Sequence, residues 1–266
     1  MLKEFFGMKL TILTGTLALA TGLATLAAGQ AAAPGQTGPK PKSKAETEAV
    51  IALQKAGQAN DADAIIKAAD DLTTKFTDSD YKAYALSLEA KAYQMKGDAP
   101  HAEVYAQQAL QADPKSYSMT LLLGEVIEGH IGDHDLDRDD KLKSAAKNLN
   151  DTILLVNAAA KPNPALTDDQ WAEYKKGIVA EAHNGLGLLA MIEKKYDVGI
   201  SEFKMAVDLD PQDAYYTRLA SCYQSAGKND EAIAICDKLL ANPSLHPTIK
   251  RFVEQIKTTA TAAKKK

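Results

Sequence analysis

The sequence predicts an all-α protein, a solenoid of antiparallel helix pairs with about four to five repeats and an irregularity in its middle. Three observations predict it. Small residues recur at matched places: Ala90 to Gly124 is 34 residues, and Gly187 to Ala220 is 33. Self-similarity at that spacing marks stacked helical units. Alanine, the best helix former, is spread along the chain, while alternating runs of Val, Ile and Thr are missing. Helix starts and stops also follow one another at short, regular intervals, as a hairpin array requires.

The elements follow in chain order. Residues 1–9, with Lys3 and Lys9, precede an uncharged run over 10–28 and the small-residue stretch AAGQAAA. This is the layout of a secretory signal peptide over 1–30, with cleavage between Gly29 and Ala33. The alternative is a retained inner-membrane anchor at 10–28, because a span needs about 20 apolar residues. Either way the chain is expected to be exported to the periplasm or cell envelope. Residues 31–43, rich in Pro, Gly and Ala, read as a flexible linker. A helical repeat domain is expected over 44–260, followed by a basic tail over 261–266 that carries Lys264, Lys265 and Lys266.

Within the repeat domain the periodicity predicts helices over 44–57, 61–76, 79–96, 99–112, 115–131, 139–159, 167–194, 196–209, 212–226, 229–241 and 245–260. Asp113-Pro114 and Asp210-Pro211 end helices, because proline drives the preceding residue out of the α region. Gly97 and Gly227 fall just past helix ends, where a left-handed residue is wanted. Thr167 and Gln170 form a capping box, with Leu166 and Trp171 at the flanking staple positions. That gives the single tryptophan a structural role.

The repeats align on small slots. On first helices these are Ala90, Leu123-Gly124, Leu186-Gly187 and Leu219-Ala220, with Tyr93, Ile127, Ala190 and Tyr223 three residues on. On second helices Ala102, Ala145, Gly199 and Ala232 are followed by Ala106, Leu149, Phe203 and Cys236. Ala109, Thr152, Ala206 and Leu239 come next, and Pro114, Pro211 and Pro243 close three of the units. Small residues let paired helices touch, and larger ones fill the gaps between them.

This pattern resembles the tetratricopeptide repeat family, and specifically an exported bacterial member of it. The matches are Ala90, Tyr93, Gly97, Ala102, Ala109 and Pro114 in one repeat, and Leu186, Gly187, Tyr196, Phe203, Ala206 and Pro211 in another. A third holds Tyr216, Leu219, Ala220, Tyr223, Gly227, Ala232 and Pro243. The likeness covers residues 80–245, and residues 44–77 read as a degenerate first pair. No repeat carries the family's large leading tryptophan. An acidic insertion after Gly124 and a second irregularity over 160–179 interrupt the array. The resemblance implies a concave wall lined mainly by first helices that receives a partner segment. Carried over, the lining is Tyr84, Ser87, Lys91, Gln94, Asn184, Leu188, Met191, Thr217, Ser221 and Gln224. This set lacks the clustered cations with which related domains clamp a C-terminal carboxylate.

The remaining residues point away from chemistry. The mature chain carries 29 basic and 34 acidic residues, a net charge of −5, with no basic stripe for nucleic acid. Membrane contact is expected only through an uncleaved N-terminal segment. Asp133, Asp135 and Asp137 mimic the start of a calcium loop, but Arg138 and Ser144 stand where that loop needs glycine and a bidentate glutamate. His130 and His134 have helical metal spacing, broken by Gly132. The connector is therefore read as solvated acid favouring the next helix N-terminus. Nucleophile elbows, phosphate loops and zinc motifs are missing, and His101, His183 and His246 stand apart. Cys222 and Cys236 are read as two buried thiols, with a disulfide left open by export. The function expected is a non-catalytic interaction scaffold binding other proteins, with no cofactor and no metal. The alternative is a small-ligand or solute-binding protein with a mid-chain pocket.

Overall fold

The computed structural model describes residues 38–265. Eleven helices follow in order among them: α1 (Lys44–Ala59), α2 (Ala62–Lys75), α3 (Lys82–Lys96), α4 (Ala99–Ala112), α5 (Tyr117–Glu128), α6 (Arg138–Ala158), α7 (Asp168–Ile192), α8 (Tyr196–Leu209), α9 (Asp213–Ser225), α10 (Asn229–Leu240) and α11 (Pro247–Ala263). Each packs on the next, as short turns dictate. Alternate helices also meet: α3 touches α5, α5 touches α7, and α9 touches α11. Those are first helices of successive pairs. The first helices therefore run side by side along one face of the stack. The final helix α11 lies against both α9 and α10 and closes the array.

The local reasons for these elements are visible at their ends. Gly97 and Gly227 adopt left-handed φ of 74° and 75°. Each donates its N–H back into the last turn, and the following residue does the same, from Asp98 to Tyr93 O (2.9 Å) and from Lys228 to Tyr223 O (2.9 Å). After α7 the same turn is made by Lys194, at φ 60°, where no glycine marked it. Thr167 Oγ1 accepts from Gln170 N (3.1 Å), while Gln170 Oε1 accepts from Thr167 N (2.9 Å), which completes the capping box. The turn behind it buries Trp171, stacked on Tyr174 at 5.4 Å. The last helix begins at Pro247, whose fixed φ suits a first turn. It runs on to Ala263, past the boundary at 260 expected from sequence.

Packing between helices is set by missing side chains. A Cβ on Gly124 would lie 2.8 Å from Leu149 Cγ, and one on Gly185 would lie 2.8 Å from Leu149 Cδ1. Leu149 of α6 is thus clasped between α5 and α7 and has no exposed surface. One repeat later, a Cβ on Gly187 would meet Phe203 Cε1 at 2.7 Å. Ala90, Ala102, Ala206, Ala220 and Ala232 are likewise fully buried, and Leu123 and Leu219 nearly so. Thr152 in the matching slot of α6 instead donates its hydroxyl to Thr120 Oγ1 of α5 at 2.9 Å, both groups being buried. Cys222 and Cys236 are free, fully buried thiols. Burial pushes both up to about 11.

Three regions depart from the sequence reading. The stretch read as linker is held at its end: Tyr81, 1% exposed, donates its O–H to Pro39 O at 2.8 Å, and Lys42 Nζ pairs with Asp78 Oδ2 at 3.1 Å. Glu46, 2% exposed, accepts there from the Ser79 hydroxyl and from Lys42 N. The signal segment 1–30 and the linker up to residue 37 lie outside the described residues. The acidic connector is partly ordered by its own chain. Asp135 accepts from Gly132 N (2.9 Å) and pairs with Lys141 Nζ (2.8 Å), which also reaches Asp137 Oδ1 (3.1 Å). Glu89 in α3 has no exposed surface, and its carboxyl lies beside Tyr105 of α4 and Asp70 of α2. Burial, then the nearby Asp70, pushes it up to about 7.

Candidate functional site

The wall formed by the first helices α3, α5, α7 and α9 takes its polar groups from successive turns of those helices. Glu125 and Glu128 lie one turn apart on α5, Glu181 and Asn184 one turn apart on α7, and Tyr215 and Arg218 one turn apart on α9. All but Asn184 and Tyr215 are half-buried, reaching the groove without leaving it. Glu125 and Glu181 face each other across α5 and α7. Burial first, and then the facing Glu181 carboxylate, hold the Glu125 carboxyl well above the ordinary range, while Gln94 of α3 hydrogen-bonds to it. The Glu181 carboxyl is likewise raised, first by burial, while Glu125 and Arg218 oppose that rise. Glu128 is pushed up to about 7 by burial, with Arg218 opposing.

Arg218 is the cation at the centre of this group. Its Nη1 donates to Asn184 Oδ1 at 2.7 Å, joining α9 to α7. Burial lowers the guanidinium, and Glu128, Tyr215, Glu125 and Glu181 oppose that lowering. Among the described residues no ion pair within 4.0 Å uses Glu125, Glu128, Glu181 or Arg218. The wall thus holds more carboxyl than cation, without closed salt bridges. Tyrosines flank it: Tyr117 and Tyr174 meet edge-on at 6.4 Å, and burial raises both hydroxyls. Tyr215 is 1% exposed.

The residues carried over from the family pattern fall in several settings. Lys91 is exposed and Gln94 half-buried on α3; Gln94 meets Glu125, and reduced hydration lowers the Lys91 ammonium. Tyr84 is half-buried against the core of α1–α3. Ser87 donates its hydroxyl to Ala83 O at 2.8 Å. Asn184 is buried and bonded to Arg218. Leu188 and Met191 are buried in the core around Phe203. Thr217 is buried with its hydroxyl on Asp213 O (2.7 Å), Ser221 is buried, and Gln224 is half-buried. The sequence reading missed Glu125, Glu128, Glu181 and Arg218. The i, i+3 pair on α5 was the available signal, but a glutamate on a helix reads as solvent-facing until its neighbours are known.

Elsewhere the titratable groups are structurally engaged. His183, isolated in sequence, has its Nδ1 2.7 Å from Glu202 Oε2 across α7 and α8. His101 bonds Asp98 at 2.8 Å and stacks on Tyr93 at 4.8 Å. His130 Nδ1 meets Val126 O at 2.9 Å. Among the described residues no group of three or more His, Cys, Asp and Glu is placed to hold a metal ion, and no helix is long and apolar enough to cross a membrane. A hollow of about 740 Å³ lies between α1 and α2, lined largely by alanines such as Ala49, Ala52 and Ala68 and closed by Phe76.

No family model and no curated protein matches the sequence. Solved structures do match its shape. A thermophilic tetratricopeptide repeat protein of Thermus thermophilus, TTC0263, aligns over 79% of this chain and 98% of its own, at 17% identity and a TM-score of 0.55. A MamA protein aligns over 74% and 90%, at 19% identity and a TM-score of 0.54. The MamA fragment from residue 41 of Desulfovibrio magneticus RS-1 aligns over 82% and 97%, at 15% identity and a TM-score of 0.52. At such identities the likeness is one of fold. Eleven stacked helices, glycine-clasped seams and these neighbours together make this chain a tetratricopeptide-type helical repeat in fold.

Proposed function

We propose that the protein is a non-catalytic interaction scaffold that receives a segment of another protein on its concave wall. The observation that carries this is the contrast between the seams and the wall. The seams are dry and filled. The wall keeps partly solvated groups, Gln94, Glu125, Glu128, Glu181 and Arg218, on four successive first helices, with Lys91 beside them. Polar groups held in a rigid concavity are pre-organised for recognition at little ordering cost. The N-terminal layout supports work outside the cytoplasm, by export with cleavage or by an anchor at 10–28. The alternative is a small-ligand protein with a mid-chain pocket; the hollow described above lies at α1 and α2 instead.

Site-specific photo-crosslinking tests the first part. A photoreactive residue at Lys91 should capture a discrete partner from cells expressing the protein. One at Leu154, exposed on second helix α6, should not; equal capture from both would count against a concave site. Amino-terminal sequencing tests export, with a mature start between Gln30 and Pro34 expected.

A further inference from the structure

We propose that the alanine-lined hollow on the outer face of α1 and α2 is the interface of a symmetric dimer, filled by the same face of a second copy of this chain. This goes beyond the scaffold reading and does not depend on the wall. The two ends of the stack differ. In a stacked array each pair covers one face of its neighbour, and the terminal pairs need polar outer faces to stay in solution. At the far end α11 provides one, with Lys250, Arg251, Glu254 and Thr258 all exposed. At the near end the first pair has two apolar faces. Val50, Leu53, Ile65, Ala69 and Leu72 are buried in the core shared with α3. The other face carries Ala45, Ala49, Ala52 and Ala56 at successive turns of α1, with Ala64 and Ala68 of α2 beside them. They surround a hollow of about 740 Å³ that Phe76 closes. Ala45 and Ala52 are exposed, and Ala49, Ala64, Ala68 and Phe76 are half-buried. An open apolar hollow at the end of an array marks an interaction surface. Residues 38–43, which lead into α1, do not line it. They are tied to the α2–α3 turn, where Pro39 O accepts from Tyr81 and Lys42 pairs with Asp78.

Charge identifies the occupant. Lys55 and Lys67 line the hollow and, among the described residues, enter no ion pair within 4.0 Å. Glu48 stands on the rim between Ala45 and Ala52, its ion pair with Lys44 stretched to 4.0 Å, and Asp71 of α2 meets Lys75 at 2.8 Å. Glu48 and Lys55 lie two turns apart on α1, on either side of Ala52, and Lys67 and Asp71 lie one turn apart on α2, on either side of Ala69. Ala52 is eight residues before Asn60 at the turn and Ala69 is nine after it, so both lie at about one height of the pair. A two-fold axis crossing the pair at that height, perpendicular to both helices, lays α1 antiparallel on the α1 of a second copy, and α2 on its α2. Glu48 then faces the partner's Lys55, and Lys67 faces the partner's Asp71. Each contact is made twice, as an isologous interface requires. The same operation sets Ala45 and Ala49 against the partner's Ala56 and Ala52, small side chains that let two helices approach closely.

The test is sedimentation equilibrium of the purified protein and of two charge variants, each shown by circular dichroism to remain helical. The wild type should form a dimer that dissociates on dilution. Glu48→Lys/Asp71→Lys makes the centre of the face basic, and Lys55→Glu/Lys67→Glu makes it acidic. Each variant alone should self-associate at least about tenfold more weakly, because like charges then oppose one another. An equimolar mixture of the two should recover the dimer as a mixed pair, an outcome that a folding defect in either variant cannot produce. A wild type that stays monomeric, a dimer that both variants form as readily, or variants that stay apart on mixing would overturn the proposal. Ala52→Cys sharpens it further: near the two-fold axis it should form a disulfide with its own counterpart under mild oxidation. If Ala52→Cys is instead shielded from thiol reagents in a monomer, the chain's own N-terminal segment covers the hollow and the dimer is overturned. None of these outcomes bears on photo-crosslinking at Lys91, so the wall and the dimer face stand or fall separately.

Discussion

Gly124 and Glu125 are neighbours on α5, and their surroundings are opposite. At Gly124 the helix presses so closely on α6 that a single methyl group would meet Leu149 at 2.8 Å. At Glu125 the next side chain is only half-buried and faces another acid. The first surface is closed by shape, and the hydroxyls buried in it, Thr152 and Thr120, bond to each other. The second is held open with charge that the chain itself does not neutralise. The seam shows what holds the stack together; the wall carries the groups that the proposed partner segment would meet. Strain at the seam is therefore felt as lost stability, while change on the wall is felt as altered binding and pH response.

Substitutions can break or sharpen that contrast. The largest expected effect is at the seam: Phe203→Ala, at a site with no exposed surface, should cost about 3–5 kcal/mol, read as a lower urea midpoint. Gly187→Ala adds a methyl 2.7 Å from the same ring and should cost about 1–3 kcal/mol by overpacking. The carboxyls raised by burial should behave differently. Glu128 and Glu89, pushed up to about 7 from an ordinary 4.5, bind protons more tightly folded than unfolded. Their contribution to folding is full below about pH 4.5 and fades as the pH rises through about 7. Urea midpoints measured across that window should fall with pH, and Glu89→Gln/Glu128→Gln should flatten the slope; an unchanged slope would show that other groups set it. The smallest effect is expected at Gly177 of α7, where an added Cβ meets nothing within 4 Å. Gly177→Ala should raise stability by about 0.5–1 kcal/mol through helix propensity. If Gly177→Ala and Gly187→Ala behaved alike, the seam would not be what excludes side chains.

Much of the fold was legible because it rests on local rules. Gly97 and Gly227 announced left-handed turns, Pro114 and Pro211 announced stops, and Thr167 with Gln170 announced a start; all five need only a few neighbouring residues. The repeat spacing located Gly124, Gly187 and Phe203 before any contact was known. Lys194 shows the limit, since a lysine in a left-handed turn has no signature of its own and is held there by the helices on either side. Gly185 shows another. It falls outside the repeated slot, yet it clasps Leu149 from α7, where an added Cβ would lie 2.8 Å from Leu149 Cδ1.

The site was less legible for a reason of the same kind. Leu188 and Met191 were placed on the wall by family pattern, and both lie in the core around Phe203. The groups that dominate the groove, Glu125, Glu128, Glu181 and Arg218, are spread over ninety-odd residues of sequence. Each alone reads as an ordinary helix charge. The sequence by itself determined helix, repeat and seam, since these follow from spacing within a few turns and from the size of side chains. Only the tertiary structure decided which charges meet. Stacking brings α5, α7 and α9 together, and electrostatic coupling depends on distance and hydration, neither of which is written in the order of residues.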